Sequence, residues 1–304
     1  MVETLILHAG TPKTGTSSLQ IYLDRQRAAL LRQGILYPDV ETRTDGIADA
    51  AKPKHQWMIK ALCAPDGEMF RRKIDEILGQ AGPIHTVVLS TEGLFNHWWD
   101  FTAAGREALA SLSSHMSVKA WVWFREPVAF VRANYVQMLK NPRTEIACYG
   151  RDLSIDEMLD DRWFSKHLDY IGYIRDVEDV LGRGKVVPFA YRGDTVRTFL
   201  RTLGVTESEY THLDENRTLG EFGAKLLRLV NRYDLSGEEK RVAVDHISKL
   251  DAMVGQQSQP LTIAAATADR IRHLAAASIT ALERDFGLSF ASSASENANF
   301  THER

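Results

Sequence analysis

The stretch that most restricts the fold lies at the start of the chain, where the apolar run Leu5-Ile6-Leu7 passes into HAGTPKTGTSSL, residues 8–19, and then into a long amphipathic pattern. This order predicts a strand, a tight turn and a helix start, the geometry of a phosphate loop. Within the turn, Gly10 and Gly15 permit tight backbone angles, Pro12 stiffens the path, and Lys13 adds a positive charge. Thr14, Gly15, Thr16, Ser17 and Ser18 then bring backbone N–H groups and hydroxyls to a helix N-terminus, where an anion is favoured. The dipole alone contributes about 0.3–1 kcal/mol per charge, so several amides and the lysine have to converge on the ligand.

Downstream, helical patterns alternate with short apolar runs. Leu19, Tyr22, Leu23, Ala29 and Leu30 recur at helical spacing up to Gly34, and residues 35–38 form a short extended piece. Residues 39–54 are polar and lack a sustained period, which predicts an exposed loop able to order over substrate. Helices are expected at 55–64, 68–78, 105–112, 127–140 (ended by Asn141-Pro142), 155–181 with a turn near Arg162, and 195–203 before Gly204. Strands are expected at 86–90, 118–124 and 185–189. The run Thr86-Val87-Val88-Leu89-Ser90 is continuous, as in a strand buried on both faces. This alternation predicts an α/β three-layer sandwich around a parallel sheet of four to five strands. The chain is helix-rich from about residue 205, with its longest helical run at 262–286, and residues 291–304 read as a flexible tail. With no internal repeat or low-complexity linker, residues 1–290 read as one α/β domain with a helical C-terminal extension.

Composition narrows the partners. A chain of 304 residues, 44% hydrophobic, can bury a sizeable core, and a net charge of -3 argues against a general nucleic-acid or membrane-surface binder. Cys63 and Cys148 are distant in sequence and lack metal-ligand spacing, so they read as reduced, buried small residues, and no metal is expected. The N-terminus has no basic start or long apolar core, and no run approaches a membrane span. A soluble, cytoplasmic protein is the expectation.

The register of the first loop separates two chemistries. An NTP-binding loop has a glycine, four residues, a second glycine, a lysine, and a Ser or Thr whose hydroxyl goes to magnesium. Gly10 and Gly15 keep that spacing, but Thr16 occupies the lysine place and the lysine lies inside the loop as Lys13. In this form Pro12-Lys13-Thr14-Gly15-Thr16-Ser17 resembles the loop of the sulfotransferase family, which holds the 5'-phosphosulfate of 3'-phosphoadenosine 5'-phosphosulfate (PAPS). A second stretch supports the resemblance: Arg125, Pro127 and Tyr135 follow an apolar strand at the spacing of the family's 3'-phosphate motif. The serine of that motif is replaced by Ala133, with Asn134 or Arg132 as a substitute contact, although Arg132 reads more readily as a solvated helix charge.

The resemblance implies a P-loop nucleotide-kinase-like fold, PAPS as co-substrate, and sulfuryl transfer to a hydroxyl or amine of an acceptor, carbohydrate among the options. Lys13 would stabilise charge on the leaving oxygen and Arg125 would clamp the nucleotide, a guanidinium offering bidentate bonds to phosphate. Arg217, in a late loop at 216–219, is a further candidate phosphate contact. Two residues compete for the base that activates the acceptor: Glu92, just past a strand end, and His55, before a helix. Asn96-His97-Trp98-Trp99 raises the idea of sugar stacking, but such aromatic residues are more often core. An NTP-dependent kinase and a non-catalytic nucleotide-binding protein of the same fold remain the rival readings.

Overall fold

The structure is a computed structural model and describes residues 2–39, 54–80, 82–205, 219–254 and 261–290. Five parallel strands form one sheet: β1 (Thr4–Gly10), β2 (Ile35–Leu36), β3 (Thr86–Ser90), β4 (Ser117–Phe124) and β5 (Val186–Ala190), in the order β2-β3-β1-β4-β5. The central strand, β1, pairs with both β3 and β4, so His8 lies opposite Ser90 on one side and Trp121 on the other. Both edges are blunted. β2 has two residues, and β5 carries Pro188, whose missing N–H is tolerated on an edge strand.

The strand connections are helical. Between β1 and β2 lie α1 (Thr16–Arg25) and α2 (Arg27–Arg32); between β2 and β3, α3 (Trp57–Leu62) and α4 (Glu68–Leu78). Next come α5 (Gly93–Asn96) and α6 (Ala103–Ser111), then, after β4, α7 (Pro127–Lys140), α8 (Ile155–Asp160), α9 (Arg162–Lys166) and α10 (Tyr170–Leu181). The chain continues from β5 through α11 (Thr195–Leu203) to α12 (Glu221–Val230), α13 (Gly237–Val254) and α14 (Ala265–Phe286). The predicted helix over 155–181 is thus three helices, because Ser154, Asp161 and Asp169 each cap a new start.

Strand side chains alternate between two cores, as the pleat requires. Leu5, Leu7, Val87, Leu89, Val118, Val122 and Phe124 face one core, shared with α3 to α7, α10 and the C-terminal helices. Ile6, Val88, Trp121 and Trp123 face the other, closed by Leu19 and Leu23 of α1 and Phe199 and Leu200 of α11. Leu227, Ile247, Ile271 and Leu282 join the first core, which makes the C-terminal helices a further layer on that face. Among the described residues, no helix is long and apolar enough to cross a membrane. The tail at 291–304 and most of the loop at 39–54 lie outside the described residues. Both cysteines are free thiols, and Cys63 is half-buried where the sequence predicts burial.

Candidate active site

The topology selects a place for a ligand before any side chain is considered. From β1 the chain leaves over one face of the sheet, through α1; from β4 it leaves over the other, through α7. The carboxyl ends of β1 and β4 therefore flank a topological switch point, where open α/β sheets bind ligands.

The loop after β1 fills one side of that crevice, and its own atoms fix its shape. Thr11 N–H donates to Trp123 O (2.9 Å) and the Thr14 hydroxyl donates to Thr11 O (2.8 Å). The buried Thr195 hydroxyl, in the first turn of α11, donates to Thr14 O. A side chain at Gly10 would place its Cβ 2.8 Å from Thr14 Oγ1, and Gly15, at φ +76°, adopts the left-handed conformation. Lys13 also adopts it, at φ +66°, the one non-glycine residue to do so among the described residues. That geometry costs a residue with a side chain roughly 1–2 kcal/mol, and the surrounding bonds maintain it.

What the loop leaves open is the start of α1. Gly15 is its N-cap, with no side-chain cap and no acidic residue in the first turn. The first intrahelical bond runs from Leu19 N–H to Gly15 O (3.1 Å), so the amides of Thr16, Ser17 and Ser18 precede the helical ladder. Thr16 Oγ1 is buried without a hydrogen-bond partner among the described residues, whereas Thr14 has spent its hydroxyl within the turn and Pro12 is buried.

Arg125 closes the other side. Its N–H donates to Thr11 Oγ1 (3.2 Å), and its guanidinium donates to Lys13 O (2.9 Å). The guanidinium carbon lies 5.4 Å from the Tyr191 ring centre, and the buried Tyr170 hydroxyl donates to Arg125 O (2.9 Å). Burial lowers the pKa of Arg125; Tyr191 opposes that and Arg132 adds to it. Lys13 and Arg125, far apart in sequence, thus meet at the carboxyl ends of β1 and β4.

The end of β3 carries the two base candidates, and the fold treats them differently. His55 is fully buried. Its backbone N–H donates to Ser90 O (2.9 Å) and its Nδ1 accepts from Ser90 N–H (3.0 Å), while Nε2 faces Pro38 O at 3.4 Å. An Nδ1 that accepts leaves the proton on Nε2, so neither nitrogen offers a lone pair to an outside hydroxyl. Burial lowers the His55 pKa to about 4. Glu92, two residues beyond Ser90, is half-buried at the start of α5, and its carboxylate makes no hydrogen bond or ion pair among the described residues. With β1 between β3 and β4 at about 4.8 Å spacing, the three strand ends lie across roughly 10 Å.

Asn134 is buried on α7, and its Oδ1 has no partner among the described residues. Toward a phosphate, which offers acceptors only, it would have to present Nδ2. Arg217 lies outside the described residues. The aromatic run is spent internally: Trp98 is core, and Trp99 donates from Nε1 to Asp176 (2.6 Å) beneath Lys166.

Several supports of the site were not assigned to it from sequence. Thr195 and Tyr191 both follow β5, so their strand-end position was readable, but nothing local says that they meet the first loop. His8 and Gln20 were equally hidden. His8 Nδ1 lies 2.8 Å from Ser90 Oγ, to which Gln20 Nε2 donates (3.1 Å). Burial brings the His8 pKa to about 3, so the imidazole is neutral.

No protein-family model and no curated protein matches the chain significantly. Among solved structures it is similar to a sulfotransferase from Alicyclobacillus acidocaldarius, at 14% identity over 95% of this chain and 98% of that one, with a TM-score of 0.48. A likeness of that degree carries no weight for function, which has to come from the residues of the crevice. Among the described residues, no group of three or more His, Cys, Asp or Glu side chains is arranged to hold a metal.

Proposed function

We propose that the protein is a PAPS-dependent sulfotransferase that moves a sulfuryl group to an acceptor hydroxyl or amine. The observation that carries this reading is the joining of Arg125 to Lys13: the guanidinium bonds the carbonyl of the lysine, which is itself held at φ +66° in the loop. Two cations beside an uncapped helix start suit a ligand with two separate anionic ends. The first-turn amides and the unpartnered Thr16 hydroxyl would take the 5'-phosphosulfate, with Pro12 and Gly15 shaping the turn, and Ser17 and Ser18 adding hydroxyls. Arg125 would take the 3'-phosphate, with Asn134 and Arg217 as the remaining candidates there.

In the reaction a new bond forms from sulfur to the acceptor, S–O for a hydroxyl or S–N for an amine, as the S–O bond to the 5'-phosphate breaks. Negative charge develops on the departing oxygen, where Lys13 stabilises it; losing such a contact costs about 10²–10³ in rate. Glu92 accepts the acceptor's proton. His55 acts as a positioning residue: by binding both backbone groups of Ser90 it fixes the turn that carries Glu92. A kinase reading would need the lysine at position 16, where a buried threonine stands. Incubation with radiolabelled PAPS and a mixed panel of sugars, phenols and amines tests the proposal. Labelled product that disappears in Lys13→Ala is expected; nucleotide binding with no transfer to any acceptor would leave only a binding protein.

A further inference from the structure

Away from the crevice, the end of α7 and the turn from α12 into α13 gather two cations around one cavity. It opens to solvent and is lined by Arg143, Gly150, Asn231, Tyr233 and Lys240 among others. Its enclosed part has room for roughly one water-sized sphere.

Lys240, in the first turn of α13, is 4% exposed, a burial that lysines almost never reach unless paired. Its ammonium donates to Asn231 Oδ1, a neutral acceptor, and no carboxylate among the described residues forms an ion pair with it. An ammonium has three N–H donors, so the remaining two need acceptors. The charge that acts on it, Arg143, is of the same sign. Arg143 donates to Asn231 O (2.6 Å) and Gly150 O (3.4 Å), and only the exposed Asp234 reaches it, at 3.3 Å. Glu239 is occupied in capping α13 through Ser236. The start of a helix, moreover, favours an anion over a cation. Burial and Arg143 together lower the Lys240 pKa to about 8.

We propose that this cavity is a binding site for one small monatomic anion of the halide class, held between the Lys240 ammonium and the Arg143 guanidinium. The anion supplies Lys240 with a further acceptor and with a counter-charge that no described carboxylate gives it. It would act as a fastener. Asn231, which bonds Lys240, also donates from Nδ2 to Leu139 O and Arg151 O (both 3.2 Å), so the site backs the contact between α12 and α7.

Two measurements on the full chain test this. Crystals grown in bromide should show an anomalous peak within hydrogen-bond reach of Lys240 Nζ and Arg143. At matched ionic strength, Tm should be roughly 2–6 °C higher in chloride than in gluconate; that difference should vanish in Lys240→Met and persist in Lys13→Ala. No bromide peak, or equal Tm in the two salts, would overturn the proposal and leave a water in the cavity. Should Lys240→Met fail to fold, the bromide experiment on the wild-type chain decides alone.

Discussion

Two polar clusters lie at the carboxyl edge of the sheet, and they use their hydrogen bonds differently. Beneath β3, His8, Gln20 and His55 converge on Ser90 and are fully buried, so that whatever capacity they retain is sealed among rings such as Trp123 and Phe199. At the ends of β1 and β4, the fold spends Thr11, Thr14 and Thr195 on shaping a loop and leaves the Thr16 hydroxyl, at the start of α1, without a partner among the described residues. A polar residue at a strand end is therefore not in itself a sign of chemistry. The sealed cluster keeps two unpartnered atoms of its own, His8 Nε2 and Gln20 Oε1, so what distinguishes a binding edge is leftover capacity placed at an uncapped helix start beside cationic residues.

The sharpest way to break this comparison is to exchange the two base candidates. Glu92→Gln should lower kcat by about 10²–10⁴ with unchanged nucleotide affinity and unchanged urea midpoint. His55→Gln should do the reverse, costing about 1–3 kcal/mol of stability, as expected when a buried partner is lost, with a smaller effect on kcat. A His55 variant of full stability and abolished turnover would reverse the assignment.

Next in size is the loop lysine. Lys13→Gly should lose about 10²–10³ in transfer rate while becoming more stable by up to ~1 kcal/mol, because glycine adopts φ +66° without cost. Paired single-turnover and urea measurements would show activity and stability moving in opposite directions. A Lys13→Gly protein that is less stable would mean that the side chain, not the backbone, holds the loop.

The sealed cluster makes a pH prediction. His8 and His55 titrate near 3 and 4 when folded, against 6.5 in the unfolded chain, so the unfolded chain takes up their protons first. Their stabilising contribution is complete above pH 6.5 and falls as pH drops toward 4, by up to about 1.4 kcal/mol per pH unit for each imidazole. Urea midpoints measured between pH 7 and 5 should decline, and His55→Gln should flatten the decline. The smallest effect belongs to Thr16→Val. Its hydroxyl has no partner among the described residues, so stability should change by less than about 0.5 kcal/mol while nucleotide affinity falls.

Much of the fold was legible in the sequence. Thr86–Ser90 and Pro127–Lys140 stand where the pattern places them, because a doubly buried strand and a proline-started helix announce themselves locally. The C-terminal helices were equally plain from their periodicity. The site was legible only in part. Lys13 and Arg125 could be nominated because each lies at a strand end, but their contact depends on β1 and β4 pairing in a particular register. The different fates of His55 and Glu92 were not legible at all. They turn on Ser90 offering both backbone groups to His55, a contact between residues 35 positions apart that no local pattern encodes.

The most direct measurement is a calorimetric titration with PAP, the desulfated nucleotide, against the wild-type chain and the Lys13→Ala and Arg125→Ala variants. Two cations gripping the two anionic ends of one nucleotide predict saturable binding below millimolar ligand, weakened about tenfold or more, or about 1.4 kcal/mol, by either substitution. No binding at millimolar PAP, or binding that neither variant disturbs, would contradict it.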